Sequence, residues 1–365
     1  MLVAGSALSH ATDGGFVATT VNAATWRMTE QSFPGTFPIE EQLRFLLRYA
    51  ILAPSTRNSQ PWRFTVDGNA VLVRADPTRW QPVADPGRRE LHLSLGCALE
   101  NLLVAAECVG YRHTVAYFPE PNDRNLVAVT SFNPGPRPSP SPRPEITLET
   151  LQVRHTERRP FSPHAVPPET VEHLRTIPGE PGVRLELSDA AERRRQVDVL
   201  NVRALGTLFG STEYRDELAR TVGEGSFGGA WLTNQLGRVA LQHVSIARRL
   251  ARQDSQALLS APLIGVIGSL ADGPAEQVRS GRLLERLWLT ATAHGLVLQP
   301  LSQALQVPPL RAEVAARFPE GGRYPQQLFR LGLPASRSVH ATPRRPVEDA
   351  LTNGAGVPRQ RASGQ

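Results

Sequence analysis

Between Ala53 and Phe64 the chain runs Ala-Pro-Ser-Thr-Arg-Asn-Ser-Gln-Pro-Trp-Arg-Phe. Pro54 and Pro61 bar helix at either end, and Ser55, Thr56, Asn58, Ser59 and Gln60 crowd short hydrogen-bonding side chains between them. Such a run presents amides and hydroxyls, the groups that grip the polar rim of a ligand. Trp62 and Phe64 follow at alternate positions and anchor its far end in a core. A second cluster, Arg154-His-Thr-Glu-Arg-Arg-Pro-Phe161, follows a short helical stretch. There Arg154, Thr156 and Arg158 fall at alternate positions, so two guanidinium groups and a hydroxyl can converge on one phosphate.

Other chemistries find little support. Every one of the 40 Lys-or-Arg positions is arginine, which excludes Schiff-base and lysine-nucleophile catalysis. No Gly-x-Ser-x-Gly elbow occurs, and the nine histidines show no metal-ligand spacing. Cys97 and Cys108 lie in a strongly apolar stretch and read as buried, inert thiols in a reducing, cytoplasmic setting. The net charge of +6 is spread along the chain and interleaved with glutamate, without a nucleic-acid-binding motif. No uninterrupted apolar run approaches a membrane span. The expected partner is therefore a small molecule, not nucleic acid or membrane.

The elements that must position these clusters follow from periodicity. Residues 39–52 carry Leu43, Leu46, Leu47 and Ala50 at helical spacing, stopped by Pro54. Alternation through Phe64 and Val66, then Val71 and Val73, predicts a hairpin around Asp67-Gly68-Asn69. Arg89 to Val109 is apolar nearly all round and belongs inside the protein. Leu126 to Phe132 reads as a strand. Further helices are expected over 147–153, 167–175, 192–218, through Leu236 to Ala247 and over 281–294, with strands at 183–187, 263–267 and 328–333. The tail from Ser336 reads as irregular.

Aligning Gly96 with Gly281 matches Leu99, Glu100, Leu102, Ala106 and Gly110 to Leu284, Glu285, Leu287, Ala291 and Gly295 without a gap. The chain therefore reads as two related halves, 33–132 and 145–351. A disordered arm (1–32, with Met28 as an alternative start) precedes them, a Pro-rich linker (133–144) joins them and a disordered tail (352–365) follows. Only the first half has the 54–64 loop, and only the second has the Arg154 cluster, so one composite site between the halves is expected.

The run Pro-Ser-x-x-Asn-x-Gln-Pro-Trp-x-Phe resembles the segment with which nitroreductase-family flavoproteins touch the isoalloxazine ring of FMN. The Arg154 cluster is similar to the family's Arg-His-Ser-x-Lys-x-Phe, and Gly295-Leu-Val-Leu-Gln-Pro-Leu-Ser302 to its Gly-to-Pro turn over the reactive face of the ring. Thr342-Pro-Arg-Arg-Pro346 lies where the family sets a basic pair on the phosphate. Together these look like the twin-type, Acg-like branch. The resemblance implies an α+β nitroreductase-like fold (an α/β sandwich), an intramolecular pseudo-dimer able to act as a monomer. It implies FMN held by Pro54, Ser55, Thr56, Asn58, Gln60, Arg154, His155, Thr156, Arg158, Pro300, Leu301, Ser302, Arg344 and Arg345, with no single catalytic side chain named. Electrons would pass from NAD(P)H through FMN to a nitroaromatic- or quinone-like acceptor. Many relatives carry Glu-Gly where this chain has Ser302-Gln303, and Gly223 to Gly229 could form a lid. An FMN-storage protein with little turnover is thus the alternative.

Overall fold

The computed structural model describes Trp26, Met28 and residues 32–135, 145–223, 245–336 and 342–352. Most of the expected arm, the core of the Pro-rich linker, the glycine-rich run after Gly223, the helix through Leu236 and Val244, and the end of the tail lie outside the described residues.

Each half is built on a four-stranded antiparallel sheet. In the front half β1 (Trp62–Asp67), β2 (Ala70–Ala75), β3 (Tyr111–Tyr117) and β4 (Leu126–Pro134) lie in the order β1-β2-β4-β3. In the rear half β5 (Val183–Ser188), β6 (Leu263–Ser269), β7 (Val297–Leu301) and β8 (Tyr324–Gly332) repeat that order as β5-β6-β8-β7. The front helices are α1 (Ile39–Ala50) and α2 (Arg89–Cys108). The rear half holds α3 (Leu148–Val153), α4 (Pro168–Arg175), α5 (Ala191–Gly210), α6 (Thr212–Gly223), α7 (Ser245–Leu259) and α8 (Pro274–Ala293). The short α9 (Gln303–Gln306), α10 (Pro308–Arg317) and α11 (Val347–Ala350) complete it.

Helices α2 and α8 cross at the centre, and one continuous core draws on both halves. Small residues permit the crossing. A Cβ on Gly96 would sit 2.1 Å from the Val278 carbonyl oxygen, and one on Gly281 would sit 2.1 Å from that of Leu93. Leu93 and Val278 each lie three residues before the glycine of their own helix. Each glycine therefore receives the matching residue of the other helix, the reciprocity that a two-fold axis demands. The two halves form an intramolecular pseudo-dimer. By length and apolar composition α2 could cross a membrane, but it is the central helix of this core and is mostly buried.

Two departures from that symmetry matter for the site. The front strands β1 and β2 are joined by a tight turn at Gly68 and Asn69, whereas their rear counterparts β5 and β6 are separated by the excursion that carries α5, α6 and α7. The chain's end also crosses back. Leu351 bridges Phe64 in parallel, and the Thr352 amide donates to the Phe64 carbonyl at 2.8 Å, extending the front sheet at its β1 edge.

The periodic helices appear as expected. The helix read over 192–218 is broken at Ser211 into α5 and α6, and α8 begins one turn and more before Gly281. Two strands went unread. The edge strand β3 alternates only weakly in hydropathy, as Tyr-Arg-His-Thr-Val-Ala-Tyr. The edge strand β7 contains Pro300, which reads as a turn signal, yet an outer strand tolerates a missing donor. The segment from Thr342, read as irregular, packs instead: Arg344 is buried and Val347–Ala350 is helical.

Candidate functional site

A cavity of 370 Å³ opens at the seam between the halves. The front half contributes Pro54, Ser55, Thr56 and Arg57, together with Glu90, Leu93, Ser94 and Cys97 from α2. The rear half contributes Thr156, Arg158, Pro300, Ser302 and Leu284 of α8. Helices of the rear excursion roof it with Leu205, Phe209, Tyr214, Leu218 and Asp254. Gln299, Gln303, Gln306 and Gln327 add amides along one side. The volume lies in the range of small-ligand sites, about 300–1,000 Å³, and apolar plates alternate with hydrogen-bonding edges.

The 54–60 loop holds an unusual backbone. Arg57, Asn58 and Gln60 have φ of 51°, 56° and 51°, a left-handed region that non-glycine residues seldom enter. Neighbours over-determine the shape. The Asn58 amide donates to the Ser55 carbonyl at 2.9 Å, the Gln60 amide to Ser55 Oγ at 2.9 Å, and the Thr56 amide to Ser94 Oγ at 3.2 Å. The rest comes from the far end of the chain. Asn58 Nδ2 donates to the Pro343 carbonyl at 2.9 Å, Arg344 donates to Asn58 Oδ1 at 3.0 Å, and the Arg345 amide donates to Gln60 Oε1 at 2.9 Å. Strain of this kind clusters at ligand sites and persists only where surrounding contacts impose it.

The expected site residues thus separate into two groups. Pro54, Ser55, Thr56, Thr156, Arg158, Pro300 and Ser302 line the cavity. Asn58, Gln60, Arg344 and Arg345 form the knot that shapes the loop from behind. Arg154 is buried, with Nε 3.0 Å from Glu285 Oε1, its guanidinium over the Trp288 ring and one nitrogen donating to the Leu52 carbonyl at 2.8 Å. It braces the helix end that feeds the loop. His155 sets Nδ1 3.0 Å from the Val153 carbonyl, and Leu301 lies in the rear core.

Three residues outside the motif reading shape the cavity. Arg57, a variable position of the motif, places its guanidinium 4.7 Å from the Tyr214 ring centroid and 3.4 Å from Glu217 Oε1. Glu217 of α6 also accepts from the Val83 and Ala84 amides, each at 2.9 Å, which pins the roof to the front half. Glu90 is 1% exposed and accepts from Arg89 at 3.0 Å and from Gln306 at 2.9 Å. Arg158 has its hold on its proton weakened by burial, an effect that Asp254 and Glu157 oppose.

Beside Glu90, burial and the neighbouring carboxylate push Asp85 up to about 7, against the opposing Leu91 amide and Arg89. A carboxyl raised in this way takes up a proton on folding, so its stabilising contribution is present at low pH and lost as pH rises from about 4 to 7. Asp85→Asn should remove that loss. Melting temperatures between pH 4.5 and 8 should fall more steeply with pH for the wild type than for the variant, and parallel curves would contradict the assignment.

No family model matches the chain. Full-length relatives do. The "Putative NAD(P)H nitroreductase Rv3131" of Mycobacterium tuberculosis is 28% identical over 342 residues, which span 86% of this chain and 92% of that protein. The "Putative NAD(P)H nitroreductase acg" of the same organism is 26% identical over 329 residues, 87% of this chain and 97% of that one. Along most of its length the chain is thus similar to proteins named as nitroreductases. Among solved structures, the FMN-dependent nitroreductase NfnB of Mycobacterium smegmatis in complex with NADPH covers 55% of this chain and 94% of its own, with 19% identity and a TM-score of 0.36. A nitroreductase with bound FMN from Desulfitobacterium hafniense covers 56% and 97%, with 18% identity and a TM-score of 0.38. Within one chain, this protein sets the 54–57 end of the polar loop of one half against Thr156 and Arg158 of the other. Among its described residues no group of three or more His, Cys, Asp or Glu could hold a metal ion.

Proposed function

We propose that this chain is an FMN-dependent oxidoreductase, taking electrons from NAD(P)H and passing them to a small electron-poor acceptor such as a nitroaromatic or a quinone. The observation that carries this reading is the seam cavity in which the polar loop of the front half meets the arginine cluster of the rear half. Its donor set fits FMN. Leu93, Leu284 and Pro300 offer apolar surface to a flat ring, Ser55 and Thr56 meet its polar edge, and Thr156 with Arg158 takes the phosphate. Asn58, Gln60, Arg344 and Arg345 act one step back by holding the loop, and Arg154 by holding the Leu52 carbonyl. FMN itself supplies the two-electron chemistry, and the protein binds, orients and shields it. Both halves of the pseudo-dimer lie in one polypeptide, so a monomer can serve as the working unit.

Removing the phosphate cation should be felt first in binding. Arg158→Ala should weaken FMN affinity about 10- to 100-fold, since a hydrogen bond to a charged group contributes about 1.5–3 kcal/mol. Fluorescence titration of the flavin-free protein measures this, and an unchanged affinity would remove Arg158 from the phosphate.

One observation favours a second reading, an FMN store with little turnover. Leu205, Phe209, Tyr214 and Leu218 roof the cavity, where Ser302-Gln303 supplies neither a carboxylate nor a glycine. Anaerobic mixing with NADPH and then NADH separates the two. Bleaching of the flavin absorbance within seconds supports the enzyme, and a persistent oxidised spectrum supports the store. A colourless preparation that gains no thermal stability from added FMN would exclude both.

A further inference from the structure

A second cleft of 330 Å³ lies beside the seam cavity, between the loop after β2 and helix α6. Ser59, Thr78, Arg79 and Trp80 line it from the front half, and Arg220 and Thr221 from the rear half. Like the main cavity, it exists only where the two halves meet. A small void of about 10 Å³ lies between the two spaces. Thr56 and Ser94 of its wall also line the main cavity, and Ser59, Arg79 and Trp80 also line the cleft. Arg79, Trp80 and Gln81 stand between the two spaces, together with Asp85 and Leu91.

The cleft carries surplus positive charge. Asp76 is buried and already committed: it accepts from the Thr78 amide at 3.1 Å, the Thr78 hydroxyl at 2.6 Å and Arg63 Nε at 2.8 Å. Arg79 stands 3.8 Å from the same carboxylate and otherwise donates to the Ser59 carbonyl at 3.0 Å. Arg345 lies close enough to Arg63 and Arg79 that their charges help push its pKa down, after burial, with Asp76 and Asp349 opposing. The carboxylate of Glu217, which also borders the cleft, is spent on the Val83 and Ala84 amides and on Arg57. Among the described residues Arg220 has no carboxylate partner and rests on the Asp216 carbonyl at 3.4 Å. Two forked cations, three hydroxyls and an indole around a space of this size suit a phosphorylated ribose better than a peptide carboxylate.

We propose that this cleft binds the phosphorylated ribose end of the nicotinamide nucleotide reductant, with Arg79 and Arg220 on its phosphate. The reactive end would then enter the seam cavity past Thr56 and Ser59. The inference rests on reading the main cavity as the redox site, and it adds a preference: the dianionic phosphate of NADPH engages both arginines, which NADH cannot do. Binding here needs no electron transfer, so it can be measured without turnover.

The test is calorimetric titration of the protein as purified with 2′,5′-ADP and, separately, with inorganic phosphate, using wild type, Arg79→Gln and Arg220→Gln. The wild type should bind 2′,5′-ADP, and either variant should weaken it about tenfold or more, as expected for loss of a charge-assisted hydrogen bond. Inorganic phosphate should bind far more weakly. In steady state the KM for NADPH should rise in both variants and that for NADH should move less. Failure of the wild type to bind 2′,5′-ADP, indifference of both variants, or equal affinity for inorganic phosphate would overturn the assignment. Arg220 lies on an accessible helix face, so its variant guards against a folding defect from the loss of Arg79. Flavin content, read from absorbance, separates the two claims. A flavin-loaded protein indifferent to both arginines sinks the cleft alone. A colourless protein that gains no thermal stability from added FMN yet still needs them for 2′,5′-ADP sinks the FMN reading alone.

Discussion

Gly281→Ala is expected to prevent the protein from accumulating in its folded form, or to lower its stability by more than about 4 kcal/mol. Ordinary overpacking of a core costs about 1–3 kcal/mol because side chains shift to make room. Here the added methyl would meet the backbone of Leu93, with its carbonyl oxygen at 2.1 Å and its Cα at 2.9 Å, and backbone has no rotamer to change. Helices α2 and α8 would have to separate along the whole core, placing the penalty in the exceptional class of single substitutions. Gly96→Ala should behave alike, because its methyl would meet the Val278 carbonyl oxygen at 2.1 Å. Gly87→Ala is the control, with no atom within 4 Å of the new methyl. Soluble yield and thermal unfolding of the three variants decide the matter. If Gly281→Ala melted within a degree or two of the wild type, the crossing would have to be looser than described.

Glu100→Ala should cost about 3–5 kcal/mol, the usual penalty for breaking a buried ion pair from one side. Glu100 is fully buried and accepts from Arg282 Nε at 2.9 Å and from Arg286 Nε at 2.7 Å and Nη2 at 3.0 Å. Both arginines also meet Glu180, and Arg282 donates to the Tyr117 hydroxyl. Without Glu100, two guanidinium groups would share a single carboxylate in a site with little water. Urea unfolding measures the loss, and a change below about 1 kcal/mol would show that solvent reaches the cluster. Glu100→Gln, which keeps one acceptor but no charge, should fall between.

The place of that cluster explains why one site is expected where a homodimer would have two. Ser94 and Cys97, two residues before and one after their central glycine, line the seam cavity. Their counterparts two before and one after Gly281 are Arg279 and Arg282. Arg279 lies over the Tyr117 ring at 4.9 Å, and Arg282 is locked to Glu100. Charge and long side chains thus fill the position that mirrors the cavity. One flavin per chain is the stoichiometry that follows from the proposed function.

Much of this architecture was legible because its signals are local. The apolar circumference of α2, the glycine register between α2 and α8 and the polar run from Pro54 to Gln60 are properties of short stretches. The division of labour within the site was not. Asn58 and Gln60 look like ligand contacts in the sequence, yet their side chains are turned to Pro343, Arg344 and Arg345, partners from the opposite end of the chain. Arg154 reads as a phosphate ligand until the buried Glu285 appears beside it. Arg57 carried no signal at all, because its importance depends on Tyr214 and Glu217, which arrive on an excursion that only the rear half possesses.

The crossing of Leu351 and Thr352 onto β1 has a consequence for biosynthesis. An emerging polypeptide can assemble strands β1 to β4 early, but their outer margin stays uncovered until Leu351 and Thr352 leave the ribosome. Unpaired strand margins invite association with other chains. A stop codon shortly before Leu351 would therefore leave a product prone to clumping, even though Pro343, Arg344 and Arg345, which hold the polar loop in its strained shape, would still be made.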